Sequence, residues 1–164
     1  MLQSNIAPLV NVVNVVVAGL GGQGVLKASD ILAAVAFSAG LDVKKSEIHG
    51  MSQRGGSVSS DVRFGSHVFS PMVTAGAADF LVVLTASQVE VARSMLRQGG
   101  TLIAPEQIDE AKLANRKSLN VALLGVLASH LDFPDSLWHE AITRSLPEKL
   151  HASNFEAFAM GKKR

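Results

Sequence analysis

The stretch Val12-Val13-Asn14-Val15-Val16-Val17-Ala18-Gly19-Leu20-Gly21-Gly22-Gln23-Gly24-Val25-Leu26 decides the fold class. Val12 to Ala18 is an almost continuous β-branched run, interrupted only by Asn14, and such runs suit a strand covered on both faces. This is the pattern of a central parallel strand. From Val25 the period changes. Val25, Ala28, Ile31, Leu32, Val35 and Ala39 recur at helical spacing, Lys27 and Asp30 take the other face, and Gly40 supplies a stop. Strand, glycine loop and helix therefore follow in order, as at the opening of an α/β domain.

Beyond this unit, a short stretch ends near Ile48 and leads into a glycine-rich segment, His49 to Gly56, with no helical periodicity. Val58, Ser60, Val62 and Phe64 then alternate with polar residues, Gly65-Ser66 follows, and His67-Val68-Phe69 resumes the extended pattern. The spacing predicts an antiparallel hairpin with a two-residue turn. Phe80 to Leu84 reads as a second buried strand. Ser87 precedes Glu90 by three, the spacing of a capping box, which predicts a helix through Leu96 closed by Gly99 and Gly100. Thr101 to Ala104 reads as a third short parallel strand. Val121 to Leu131 reads as a buried helix, Ser136 to Leu146 as an amphipathic one, and Asn154 to Met160 as a last turn or two. The expected architecture is three-layer α/β/α, Rossmann-like, with a mixed, mostly parallel sheet and one antiparallel hairpin.

Composition narrows the function classes. The chain has 164 residues, which fits one domain over 1–164 with a proper core. Lys plus Arg number 15 against 14 acidic residues, so no large charge excess exists to drive strong counterion release from nucleic acid. Cysteine is absent, which rules out disulfides, a thiolate nucleophile and cysteine-held iron–sulfur clusters within the chain. The N-terminal stretch lacks a basic region before its apolar run, and Asn11 and Asn14 break that run well short of about 20 residues. No membrane association is expected, and a cytoplasmic location is.

Two segments are candidates for chemistry. Gly19-Leu20-Gly21-Gly22-Gln23-Gly24 fits G-x-G-x-x-G between a strand and a helix, where free N–H groups and the helix dipole favour an anion. Three readings stay open: phosphate or cofactor contact, a dinucleotide site with Glu47 as the candidate ribose acid, and glycines that serve only tight packing. Against the dinucleotide reading, the chain does not continue from its second strand into another crossover helix. It enters His49-Gly50-Met51-Ser52-Gln53-Arg54-Gly55-Gly56 instead. There, glycines flank two long hydrogen-bonding side chains, and Arg54 offers a rigid fork to a carboxylate or phosphate. Such a loop suits contact with a ligand or a neighbouring subunit, or is simply a solvated turn. The five histidines show no metal-ligand spacing on one helix face, and only His49 lies beside a candidate site. Trp138 reads as core.

Together, Val15 to Leu26 and the run His49 to Val58 (H-G-M-S-Q-R-G-G-S-V) resemble the gamma-type subunit or domain of 2-oxoacid:ferredoxin oxidoreductases. Met51-Ser52-Gln53 before Arg54 is most similar to the branch called indolepyruvate oxidoreductase subunit beta. The resemblance runs on through Ser70-Pro71, Ala78-Asp79, Gly99 to Thr101, Asn120 and Asn154 to Gly161, so it covers nearly the whole chain. Two departures concern the substrate: Thr85-Ala86-Ser87 stands where relatives often carry an acidic residue, and the stretch from Asp109 to Lys117 is short. The resemblance implies oxidative decarboxylation of a 2-oxoacid, an arylpyruvate by branch, to an acyl-CoA, with electrons passed to ferredoxin. It implies that thiamine diphosphate and 4Fe–4S clusters sit on a larger partner subunit and that this chain alone binds no cofactor. It also implies that Gly19, Gly21, Gly22, Gln23 and Gly24, with His49, Gly50, Ser52, Gln53, Arg54, Gly55 and Gly56, face the partner's active-site region or the coenzyme A channel. An independent dinucleotide-binding oxidoreductase and a non-catalytic binding module of the same fold are the alternatives.

Overall fold

A computed structural model describes residues 11–49 and 56–163. The valine run forms β1 (Val13–Leu20), and the helical period after the glycine loop forms α1 (Val25–Ser38). β2 (Asp42–His49) and β3 (Ser57–Gly65) follow, then β4 (Ala78–Val83), the single-turn α2 (Val89–Ala92) and β5 (Leu96–Ile103). Three helices complete the described chain: α3 (Leu119–Ala128), α4 (Asp135–Ser145) and α5 (His151–Lys162).

The five strands lie in the order β2-β3-β1-β4-β5. β1 pairs parallel with β4 and β4 with β5, whereas β3 is antiparallel to both β1 and β2. The sheet is mixed as expected, with antiparallel pairing taking an equal share of its four ladders. Alternation along β1 sends Val15 and Val17 to one core and Val16 to another. The first core is thick: α1, α3, α4 and α5 all bury residues in it, and Trp138, Phe158 and Ile142 are fully enclosed. The second is thin, built from Val16, Val73, Ala78, Leu81 and Val83 under the segment that carries Val73 and under α2.

Two local expectations are corrected. The hairpin does not turn at Gly65-Ser66; it pairs β2 with β3, and residues 67–69 are not a strand. Both edges of β3 are already taken, one by β1 and the other by β2, so no ladder is left for a third strand. The chain after Gly65 instead folds over the second face, held by Val68 N–H donating to Asp42 Oδ2 (2.7 Å) and Val73 N–H donating to Asp61 Oδ2 (2.8 Å). The helix expected through Leu96 is likewise only one α turn between 3₁₀ turns, with no side-chain cap from Ser87. Leu96 already pairs with Ala78, and Gly99 and Gly100 sit within β5 at a register shift where Gly99 has φ +75°. These glycines absorb a bulge and do not close a helix.

Two helical glycines set a close helix–helix approach. A Cβ on Gly125 would stand 2.1 Å from Phe158 O, and one on Gly161 would stand 1.9 Å from Ala122 O. α3 and α5 therefore touch backbone to backbone, which the tail sequence alone did not announce.

Candidate functional site

β1 and β4 end side by side, and the chain leaves them in opposite directions: β1 feeds α1 and the β2–β3 side, β4 feeds β5. In open α/β sheets the crevice outside the carboxyl ends of strands at such a reversal is where ligands bind. A cleft of about 620 Å³ opens there. Its walls are the loop after β1 (Gly22 to Gly24), the loop after β4 (Leu84 to Ala86) and the start of α3 with the 3₁₀ turn Arg116–Ser118 before it.

The glycine loop is held by its own side chain and by distant ones. Gln23 Oε1 accepts from Leu20 N–H (2.7 Å), and Gln23 N–H donates to Leu20 O (3.2 Å). Gly21 N–H donates to Gly56 O (2.9 Å), joining the first glycine motif to the end of the second. Gly24, at φ +86°, caps α1, and Asn120 Nδ2 donates to its carbonyl (3.2 Å). A Cβ at Gly19 would meet Gln23, Val25 and Leu84 atoms at 2.9–3.2 Å, so a side chain there would push the loop off the strand. Among the described residues nothing takes up the N–H groups of Gly22 and Gly24. With the positive end of α1 behind them, they form an acceptor-seeking rim.

The charges of the cleft are unequal. Arg116 and Lys117 are exposed and make no ion pair among the described residues, and Glu110 is the one acidic group in the lining. Two free cations and a helix terminus suit a phosphate-bearing ligand better than a carboxylate-activating site. A smaller hollow of about 390 Å³ lies across the loop, lined by Leu20, Gly21, Gly22, Gly24, Lys27 and His49 among others. His49 is exposed, its Nε2 4.0 Å from Glu47 Oε2.

Of the residues singled out from sequence, Gly19, Gly21, Gly22, Gln23, Gly24 and Gly56 come together at the strand ends, and His49 flanks them. Gly50, Ser52, Gln53, Arg54 and Gly55 lie outside the described residues. Glu47 is not placed as a ribose acid. β3 intervenes between β2 and β1, putting Glu47 about 10 Å away from β1 across two strand spacings, where it pairs with Lys45 (2.8 Å). Arg116 and Lys117 were missed by motif reading. Their signal was a basic pair directly ahead of an apolar helix, the kind of position that delivers cations to a strand-end cleft. Among the described residues no group of three or more His, Cys, Asp or Glu is arranged to hold a metal, and no helix is long and apolar enough to cross a membrane.

The fold and this cleft define an α/β protein that presents a glycine loop and a helix N-terminus at a strand-order reversal. The chain belongs to the pyruvate ferredoxin/flavodoxin oxidoreductase family, whose model matches residues 14–164. It is 36% identical to the Indolepyruvate oxidoreductase subunit IorB of Pyrococcus horikoshii, over 92% of this chain and 94% of that one. The gamma subunit of keto/oxoacid ferredoxin oxidoreductase from Geobacter sulfurreducens PCA shares the fold, with TM-score 0.78 at 23% identity over 92% of this chain and 96% of that one. So does the 2-oxoglutarate:ferredoxin oxidoreductase of Magnetococcus marinus, solved with 2-oxoglutarate, coenzyme A and succinyl-CoA bound. Its TM-score is 0.76 at 21% identity, and the match covers 93% of this chain but 30% of that chain.

Proposed function

We propose that the chain is the cofactor-free subunit of a cytoplasmic 2-oxoacid:ferredoxin oxidoreductase of the indolepyruvate type, and that its cleft receives the phosphate-bearing part of coenzyme A. The observation that carries this reading is the convergence in one cleft of the Gly22 and Gly24 N–H groups with Arg116 and Lys117, none of which has a partner among the described residues, on a chain with no cysteine. Anion recognition is what these groups supply; cluster ligation is not. The overall change is a 2-oxoacid plus coenzyme A giving an acyl-CoA, carbon dioxide and a proton, with the electron pair leaving one at a time to ferredoxin. Thiamine diphosphate and 4Fe–4S clusters, held by the larger partner, supply the decarboxylation and the electron path. This chain's residues bind the thiol substrate's phosphates and position its far end.

The reading treats residues 1–164 as one gamma-type domain and takes the His49–Gly56 segment as facing the partner or the coenzyme A channel. Identity to an IorB relative over nearly full length favours indolepyruvate or another arylpyruvate as the acid. The dinucleotide alternative loses ground to the strand inserted between β1 and β2, which removes the ribose acid from its usual neighbouring position.

The test is affinity isolation of the tagged chain from its native cells, mass spectrometry of what comes with it, and an assay for arylpyruvate- and coenzyme A-dependent reduction of a viologen dye. Recovery of a large thiamine and iron–sulfur subunit with that activity is the expected outcome. A lone, inactive chain that binds NAD would replace the reading with the dinucleotide one. Arg54→Ala should leave the chain folded while lowering activity or assembly of the holoenzyme, since an arginine flanked in sequence by glycines is expected to add little to a core.

A further inference from the structure

We infer that Asn120 is a positioning residue for anion binding in the main cleft: its carboxamide clamps the glycine loop in the conformation in which no described residue takes up the Gly22 and Gly24 N–H groups. This rests on the reading that the cleft takes coenzyme A. Asn120 lies in the first turn of α3, 7% exposed, and both ends of its carboxamide are committed. Nδ2 donates to Gly24 O (3.2 Å), and Oδ1 accepts from Val121 N–H (2.9 Å). Flipping the amide would set donor against donor and acceptor against acceptor, so one orientation is enforced. Gly24 O also accepts the first bond of α1, from Ala28 N–H (3.0 Å). The clamp therefore acts at the hinge between loop and helix.

The fit is tight: a Cβ at Gly24 would stand 2.5 Å from Asn120 Nδ2. The loop needs such a clamp because Gly22 and Gly24 both sit at positive φ, +85° and +86°, where glycine has alternatives and must lose more entropy to hold one shape. The same start of α3 carries Arg116 and Lys117 to the cleft through the 3₁₀ turn before it. Asn120 thus ties the element bearing the cations to the loop bearing the free N–H groups. Losing it makes binding restore the loop's order first.

The experiment uses the complex assembled with the large subunit, with coenzyme A as the probe. Asn120→Ala and Asn120→Asp are compared with the double variant Arg116→Gln/Lys117→Gln, by equilibrium dialysis of coenzyme A and by steady-state kinetics. Both Asn120 variants should raise Kd and KM for coenzyme A about tenfold, the loss of about one hydrogen bond. KM for the 2-oxoacid and kcat should stay within about twofold of wild type, a split that general unfolding does not produce. If the double variant weakens coenzyme A and the Asn120 variants do not, the positioning role is overturned while the cleft assignment stands. If the double variant also leaves coenzyme A unaffected, the cleft assignment fails and this inference fails with it. Should Asn120→Ala not assemble, the isosteric Asn120→Asp decides; if neither assembles, Asn120 serves folding and the inference is overturned.

Discussion

Asp61 is a deeply buried carboxyl. It is 1% exposed, its Oδ2 accepts from Val73 N–H, and its Oδ1 has no partner among the described residues. Burial pushes its carboxyl above the ordinary aspartate range, against the lowering effects of the Val73 bond and the Arg63 charge. A raised acid favours the protonated form in the fold, so its contribution is most favourable below the unfolded value and declines as pH rises through the carboxylate range. Relative to Asp61→Asn, the wild type should lose stability from about pH 3 upward and then level off, as read by urea unfolding at several pH values. A pH-independent difference would mean that the carboxyl is not perturbed. Arg116 and Lys117 lie at the other extreme, exposed and in no ion pair among the described residues. Replacing either by Gln should weaken coenzyme A by roughly threefold to thirtyfold, more at low salt, with no change in thermal stability; thermal unfolding and dialysis at two ionic strengths check this.

Between elements, two kinds of contact matter. α3 and α5 meet through Gly125 and Gly161, where a Cβ would overlap a carbonyl oxygen of the facing helix. Gly125→Ala or Gly161→Ala should therefore cost about 3 kcal/mol or more, since only a shift of a whole helix makes room. Denaturant titration reads this; a loss below about 1 kcal/mol would show that the helices separate easily. The second contact ties α1 to β2: Lys45 Nζ pairs with Asp30 and with Glu47 (2.8 Å), and also donates to Ser29 Oγ (3.2 Å). Burial pulls the Lys45 ammonium down, but the hydrogen bonds to Asp30 and Glu47 outweigh it and hold its pKa above the usual lysine value. A raised lysine contributes stability that is full below the unfolded value and is lost as pH rises through the folded one. Lys45→Met should thus match the wild type's stability more closely at alkaline pH than at pH 7, measured by unfolding at both.

For the molecule as a whole, strand order decides what the cleft can be. The strand after α1 crosses over β3's position, so the two strands flanking β1 are an antiparallel one and β4. The isolated chain should consequently show no quenching or transfer of NADH fluorescence on mixing, whereas millimolar pyrophosphate should shift the amide signals of Gly22 and Gly24. Fluorescence titration and amide spectra test the pair. The unequal cover of the two sheet faces follows from the same topology: among the described residues α1, α3, α4 and α5 pack on one side, and α2 with the segment carrying Val73 on the other.

Residues near one another in the chain were enough to specify β1, the glycine loop, α1 and the buried α3, because valine runs, helical periodicity and glycine spacing act over a few residues. The same locality made the first glycine motif legible as a tight loop between a strand and a helix. What pairs with what was decided in three dimensions. Residues 67–69 have strand chemistry, but β3 had no free edge for them; Gly99 and Gly100 look like a helix stop, yet the pairing of Leu96 with Ala78 made them a bulge. Glu47 stands at the right distance along the chain for a ribose acid, but an inserted strand moved it away from β1. Arg116, Lys117 and Asn120 reach the loop only because α3 packs on the first core, and hydrogen bonds across 96 positions, such as Asn120 to Gly24, leave no periodic trace for a linear reading to find.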